Sequence, residues 1–264
     1  MIQIDDVYVT FNPGTVIETR ALRGLALSIP KGQFVTMIGS NGSGKSTLLN
    51  VLAGEVPVDS GRICVGDEDV TGRPASERAG LVSRVFQDPM AGTCEALTIE
   101  ENLALAQQRG HRRRLKRAIG DDLREKFRER LASLGLGLEM RLQDRMGLLS
   151  GGQRQAVSLV MATLQPMKIL LLDEHTAALD PKTASFVMGL TDRFVEEDNL
   201  TALLVTHSMR QALDHGMRTI MLHEGQVVLD VADGKREGLD VADFLQMFEN
   251  VRGDELADDS LLLG

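Results

Sequence analysis

Tryptophan is missing from this chain and tyrosine occurs once, at Tyr8, so aromatic residues fill only 3% of its 264 positions. Proteins that hold single-stranded nucleic acid stack bases on aromatic rings, and no such platform can be assembled here. Positive charge is also short: 29 Lys and Arg face 38 Asp and Glu, for a formal net charge of −9. A surface of that sign repels a phosphate backbone, so no nucleic-acid partner is expected. The two cysteines, Cys64 and Cys94, stand far apart without metal-type spacing. They read as reduced thiols of a cytosolic protein, not as a disulfide framework. No uninterrupted apolar run approaches the ~20 residues of a membrane-spanning helix. The opening Met1-Ile2-Gln3-Ile4-Asp5-Asp6 has no basic stretch followed by an apolar one, so no secretory leader is expected. There are no internal repeats, and the length suits one substantial core with a smaller lobe.

What is present is a set of placed glycines and carboxylates. Phe34-Val35-Thr36-Met37-Ile38 is a short apolar, β-rich run. Gly39-x-x-x-x-Gly44-Lys45-Ser46 follows, and then helical apolar spacing from Lys45 that Gly54 stops. Strand, glycine-rich loop and helix are the context a phosphate cradle needs. Glycines let backbone N–H groups turn inward around an anion, and the helix start adds the positive end of its dipole. Ser40, Asn41, Gly42, Ser43 and Gly44 would form the cradle. Lys45 reaches β- and γ-phosphates, and the hydroxyl of Ser46, with Thr47 beside it, faces Mg²⁺.

A second buried-strand pattern, 168–174, ends in the adjacent carboxylates Asp173 and Glu174. Neighbours at a strand end point in different directions and can take different tasks. Asp173 is placed to hold Mg²⁺ through water, and Glu174 to polarise an attacking water as general base. Between the two strands, Ser150-Gly151-Gly152-Gln153 opens a helical segment that ends before Pro166. A serine cap followed by two glycines makes a second anion-seeking helix terminus. One chain holds one triphosphate, so the obvious use of a second terminus is the nucleotide of a partner chain.

The order phosphate loop, Leu149-Ser150-Gly151-Gly152-Gln153, then strand ending in Asp173-Glu174 resembles the ATP-binding-cassette (ABC) family, from about Ile2 to Val231. The resemblance implies an α/β fold: a P-loop NTPase core (1–86 and 149–232) with an antiparallel β flank and an inserted α-helical subdomain (87–148). A C-terminal helix and acidic tail (233–264) complete it. It implies ATP and Mg²⁺ as ligands. Gln87, in Gln87-Asp88-Pro89, corresponds to the family's Q-loop, touching Mg²⁺ or the water. His207, at the end of strand 201–206, corresponds to the switch histidine that bonds the γ-phosphate and orients Glu174. Ala178-Leu179-Asp180 corresponds to the D-loop. Phe11 stands where the family sets an aromatic ring on adenine; Tyr8 is its rival, and either ring can instead pack in the flank.

In that family two copies face head to tail with ATP between each phosphate loop and the other's signature. Membrane permease subunits would dock around the Q-loop, near Phe86, Gln87, Pro89, Met90 and Leu97, and an extracytoplasmic solute-binding protein would serve the same system. The expectation is a peripheral ATPase on the cytoplasmic face of the membrane that powers import of amino acids or similar solutes. The alternative is a soluble ABC ATPase in macromolecular assembly of the iron–sulfur type. One residue departs from the pattern: His175 replaces the proline that usually follows Glu174. It either titrates near neutral pH beside the base or merely fills the proline's place. With the Asn12–Thr19 insertion it resembles a bacterial subgroup tied to amino-acid uptake, aromatic amino acids included. Further elements expected are strands 2–11 and 22–29, a helix from Pro181 to about 197, a hairpin turning at Glu224-Gly225 and an amphipathic helix 239–248. The Arg112–Arg117 run reads as a solvated face more readily than as a patch for anionic lipid.

Overall fold

Apolar and polar residues alternate over the first ten positions and form β1 (Ile2–Phe11), antiparallel to β2 (Thr19–Ile29). The alternation slips once, because Ile4 and Val7 are three apart yet both fully buried. A bulge absorbs the extra residue: the ladder shifts between Ile4 and Val7, and Asp6 takes φ 51°. After β3 (Phe34–Ile38), the phosphate loop leads into α1 (Lys45–Ala53), which Gly54 closes at φ 80° with its N–H on the Asn50 and Val51 carbonyls. Then come β4 (Ser60–Val65), β5 (Glu68–Asp69), the short α2 (Ala75–Arg78) and β6 (Val82–Val85). Helices α3 (Ile99–Gln107) and α4 (Asp121–Ala132) follow, and α5 (Gly151–Thr163) starts at the signature. The chain continues through β7 (Ile169–Asp173), α6 (Pro181–Glu197), β8 (Ala202–Val205) and α7 (Met209–Asp214). A hairpin of β9 (Arg218–His223) and β10 (Gln226–Ala232) precedes α8 (Val241–Arg252). Glu224 and Gly225 turn that hairpin with φ 46° and 79°. This computed structural model describes residues 1–111, 119–232, 236 and 238–252. The Arg112–Arg117 run and the acidic tail lie outside the described residues.

The strands make two sheets. One is antiparallel, in the order β2-β1-β4-β5; the other runs β10-β9-β3-β8-β7-β6, with every pairing parallel except β9–β10. A strand without polar residues to turn outward must be covered on both faces, and the central strands are. Ile169, Leu171, Leu203 and Val205 face a core shared with α1 and the antiparallel sheet. Their neighbours Leu170, Leu172, Ala202 and Leu204 face the core formed with the helices α3 to α6. A third, smaller core joins Ile38 and Met221 to Met209 and Phe244 of α7 and α8.

Strand β4 escaped the sequence reading, since Ser60-Gly61-Arg62 carries no apolar alternation; its pairing with β1 makes it a strand. Strand β2 also begins three residues earlier than its apolar pattern, at Thr19, through pairing with Phe11. Gly61 has φ 95° and passes so close to the β1 bulge that a Cβ would stand 2.4 Å from the Asp6 carbonyl oxygen. Gly61→Ala is therefore expected to cost about 2 kcal/mol or more in urea unfolding. Gly72→Ala, where a Cβ meets nothing within 4 Å, should stay within about 0.5 kcal/mol of wild type.

Candidate active site

Because β3, β8, β7 and β6 are parallel, their carboxyl ends share one edge, the place where open α/β sheets bind ligands. The ladder pairs Met37 with Val205, Val205 with Asp173, and Leu172 with Val85. The phosphate loop, His207, the Asp173-Glu174 pair and Gln87 thus leave neighbouring strands side by side. Backbone bonds extend the order past the strands: Thr206 N–H donates to Met37 O at 3.0 Å and Glu174 N–H to Val205 O at 2.9 Å.

The phosphate loop has the features of an anion cradle. Gly42 and Gly44 take φ 78° and 104°, and a Cβ on Gly44 would meet the Ala21 carbonyl oxygen at 2.6 Å. Gly44 is the cap of α1 and brings no side chain to its first N–H groups. The Ser43 hydroxyl is buried without a hydrogen-bond partner. Lys45 is 5% exposed, and its Nζ donates to the carbonyls of Gly39 (2.6 Å) and Ser40 (3.1 Å). Burial pulls the Lys45 pKa down, while the charges of Glu174 and Asp173 push it back up. Asn41, Gly42 and Ser46 are exposed, Ser40 and Thr47 partly so. A buried cation, bare helix N–H groups and an unpartnered hydroxyl fit a polyphosphate. Ser46, Asp173 and Gln87 offer one hydroxyl, one carboxylate and one amide oxygen, a hard set that suits Mg²⁺ sharing phosphate and water.

Glu174 sits at φ 44°, a left-handed conformation that costs a non-glycine residue roughly 1 kcal/mol or more. Its Oε1 lies 2.7 Å from His207 Nε2, with Glu174 9% and His207 44% exposed in the side chain. Burial raises the Glu174 pKa; His207 and Lys45 oppose this, and Asp173 adds to it. The two loops are tied a second time through Gln211, which bonds the Thr206 hydroxyl at 2.5 Å and donates to Thr176 Oγ1 at 3.0 Å. Gln87 is exposed where the chain leaves β6, and Gln155 of α5 anchors that exit by donating to Phe86 O at 3.0 Å.

The signature forms a separate terminus. Ser150 caps α5 by accepting from Gln153 N–H at 3.3 Å, and the Gln153 side chain returns a bond to Ser150 N–H. Gly151 lies against Leu179, and a Cβ on Gly152 would stand 2.1 Å from Thr183 Cγ2, so the signature packs on the segment around Asp180. Asp180 caps α6 with its carboxylate on Thr183 N–H at 3.1 Å. Among the described residues, no hydrogen bond or ion pair joins the signature to the phosphate loop. Phe11 and Tyr8 are both exposed, at 38% and 41%. Phe11 ends β1 opposite Thr19, whereas the Tyr8 hydroxyl reaches over Gly24.

The family model for the ABC transporter matches residues 22–177. A tyrosine transport ATP-binding protein of Clostridioides difficile is 44% identical over 254 residues, covering 94% of this chain and 99% of that protein. A phosphonates import ATP-binding protein of Chromohalobacter salexigens is 37% identical, covering 80% and 78% respectively. The chain belongs to the ABC transporter family. It has the ABC ATPase cassette fold and is the ATP-binding ATPase subunit of a transporter. Among solved structures, a dimeric ATP-binding cassette in a post-hydrolysis state with ADP and phosphate superposes with a TM-score of 0.74. That structure shares 30% identity over 88% of this chain and 98% of its own.

Two residues of the cassette have partners that the sequence did not assign. Arg84 interrupts an apolar strand, a visible signal, and its Nη2 donates to Asp173 Oδ2 at 2.6 Å. His175 is 1% exposed, with Nε2 2.9 Å from Thr191 Oγ1. The Thr191 hydroxyl donates to Val187 O at 3.0 Å, so the proton between the two side chains belongs to His175. Burial, with His215 adding to it and Asp192 opposing, lowers the His175 pKa to about 4. The ring is therefore neutral at physiological pH and pins the loop after Glu174 to α6. Thr191→Val leaves that buried N–H without an acceptor and should cost about 1–3 kcal/mol in denaturant unfolding; a loss below about 0.5 kcal/mol would contradict the assignment.

Proposed function

We propose that this cassette hydrolyses ATP as one of a pair, driving import of amino acids, aromatic ones foremost, through membrane permease subunits. The observation that carries the chemistry is Glu174, held 2.7 Å from His207 and close enough to Lys45 and Asp173 for each to bias its proton affinity. Lys45 and the backbone of residues 40–44 bind the β- and γ-phosphates. Glu174 takes the proton from the water that attacks the γ-phosphorus, while His207 fixes the carboxylate and faces the γ-phosphate. Ser46, Asp173 and Gln87 would hold magnesium, which would supply charge neutralisation at the phosphate oxygens. Ser150, Gly151, Gly152 and Gln153 of a second copy complete the site with a second helix terminus, and Asp180 stands beside that junction. Phe11 covers the adenine: Val9, two residues before it, pairs with Leu22, which lies against Gly44.

A cleft of about 1290 Å³ opens beside the Q-loop, walled by Phe86, Pro89, Cys94, Leu97 and Leu105, with Met90 47% exposed nearby. That concave surface suits a short permease segment. No helix of the described residues is long and apolar enough to cross a membrane. In this reading the chain works peripherally, on the cytoplasmic face, and a solute-binding protein delivers substrate from outside. The amino-acid reading is supported by the relative named for tyrosine transport, which matches nearly end to end. The named relatives are transport proteins, which favours an importer over an assembly ATPase. Glu174→Gln should bind ATP with near wild-type affinity yet turn over roughly 10²–10⁴-fold more slowly, measured as phosphate release. Turnover within about threefold of wild type would remove Glu174 from the base role.

A further inference from the structure

Strand β6 alternates between two environments. Val82 faces the core around α1, while Ser83 bonds the Ala162 carbonyl of α5 at 2.9 Å and Val85 joins the core with the helices. Arg84 therefore falls on the α1 side, in register with Leu171 and diagonal to Asp173, two residues further along β7. An arginine among apolar strands is costly unless its charge is met. Here the charge is met through the two Nη groups, by partners from β7, α1 and the loop after α1, while Nε is buried without a hydrogen-bond partner. Nη2 donates to Asp173 Oδ2 at 2.6 Å; Nη1 donates to Asn50 Oδ1 at 2.8 Å and to Glu55 Oε2 at 3.1 Å. The guanidinium also lies over the Phe86 ring, 4.7 Å from its centroid. Both ends of the Asp173 pair are withdrawn from water, with side chains 11% and 15% exposed.

We infer that Arg84 is a positioning residue: it holds the Asp173 carboxylate by Oδ2 so that the other oxygen is presented to magnesium. The inference rests on Asp173 holding that ion. A carboxylate has two acceptor oxygens and rotates about one bond. Fixing one oxygen from the side fixes the other, as partners behind metal ligands do. The anchor is itself braced, because Asn50 on α1 and the Phe86 ring meet the guanidinium from two sides. Glu55, Arg84 and Phe86 also line the cleft, so the residue that orients Asp173 is within reach of whatever docks there.

The test is binding of a fluorescent, non-hydrolysable ATP analogue to the full chain, in EDTA and across a magnesium titration. Arg84→Gln should leave affinity in EDTA within about twofold and raise the magnesium concentration for half-maximal tightening roughly tenfold. Arg84→Lys, which keeps the charge but not the two-pronged geometry, should fall between it and wild type. Asp173→Asn is the control and should raise the same midpoint at least as far. If Asp173→Asn leaves the midpoint unchanged, the assignment of Asp173 fails and this inference with it. If Asp173→Asn shifts the midpoint and both Arg84 variants leave it within twofold, the role of Arg84 alone is overturned. Should Arg84→Gln fail to fold, an unchanged midpoint in Arg84→Lys overturns it equally.

Discussion

The parallel register that sets Met37 beside Val205, and Val205 beside Asp173, is the constraint on which the site depends. These strands are buried on both faces, so slipping one by a single residue would exchange its two sets of side chains between the two cores. Leu170 and Leu172 would then have to fill the space shaped for Ile169 and Leu171. The penalty falls on every strand at once, and it locks the strand ends level. Level ends are what allow a lysine from one loop, a glutamate from another and a histidine from a third to interact without any of them being neighbours in sequence.

The loops beyond those ends need their own fastening, since no ladder holds them. Glu174 adopts an unfavourable left-handed conformation, which persists only where the surroundings over-determine it. They do so here: its N–H is held by Val205 O, its carboxylate by His207, the next residue by Thr191, and Thr176 by Gln211. The four fastenings come from β8, the loop after it, α6 and α7. The result is a carboxylate held in place before substrate arrives, in a setting that raises its proton affinity by burial and tempers it with nearby positive charge.

Much of this was legible in the sequence where the signal was local. Helix α1 ends at its glycine, α5 begins at Ser150 with Gln153 three residues on, and α6 begins at Pro181, because caps and proline act over three or four residues. The central strands were legible because their apolar runs leave no face for water. Strand β4 was not, since its residues become a strand only against β1, more than fifty positions away. The Arg84–Asp173 pair spans 89 positions, and nothing local forecasts it beyond a charge in an apolar strand. His175 admitted two readings until its burial settled that it stays neutral. Phe11 and Tyr8 remain alike in exposure, at 38% and 41%, and no local signal in the sequence separates the two rings.

The central claim is that one chain carries two half-sites that meet only between copies: a phosphate loop, and a signature that no bond joins to it among the described residues. The most direct measurement is the mass in solution, by light scattering, of the Glu174→Gln chain with ATP and magnesium. The account predicts a shift from one copy to two on adding nucleotide, and its loss when Ser150→Arg fills the facing phosphate site with a bulky side chain. A mass that ignores nucleotide, or a dimer that survives Ser150→Arg unchanged, would contradict it.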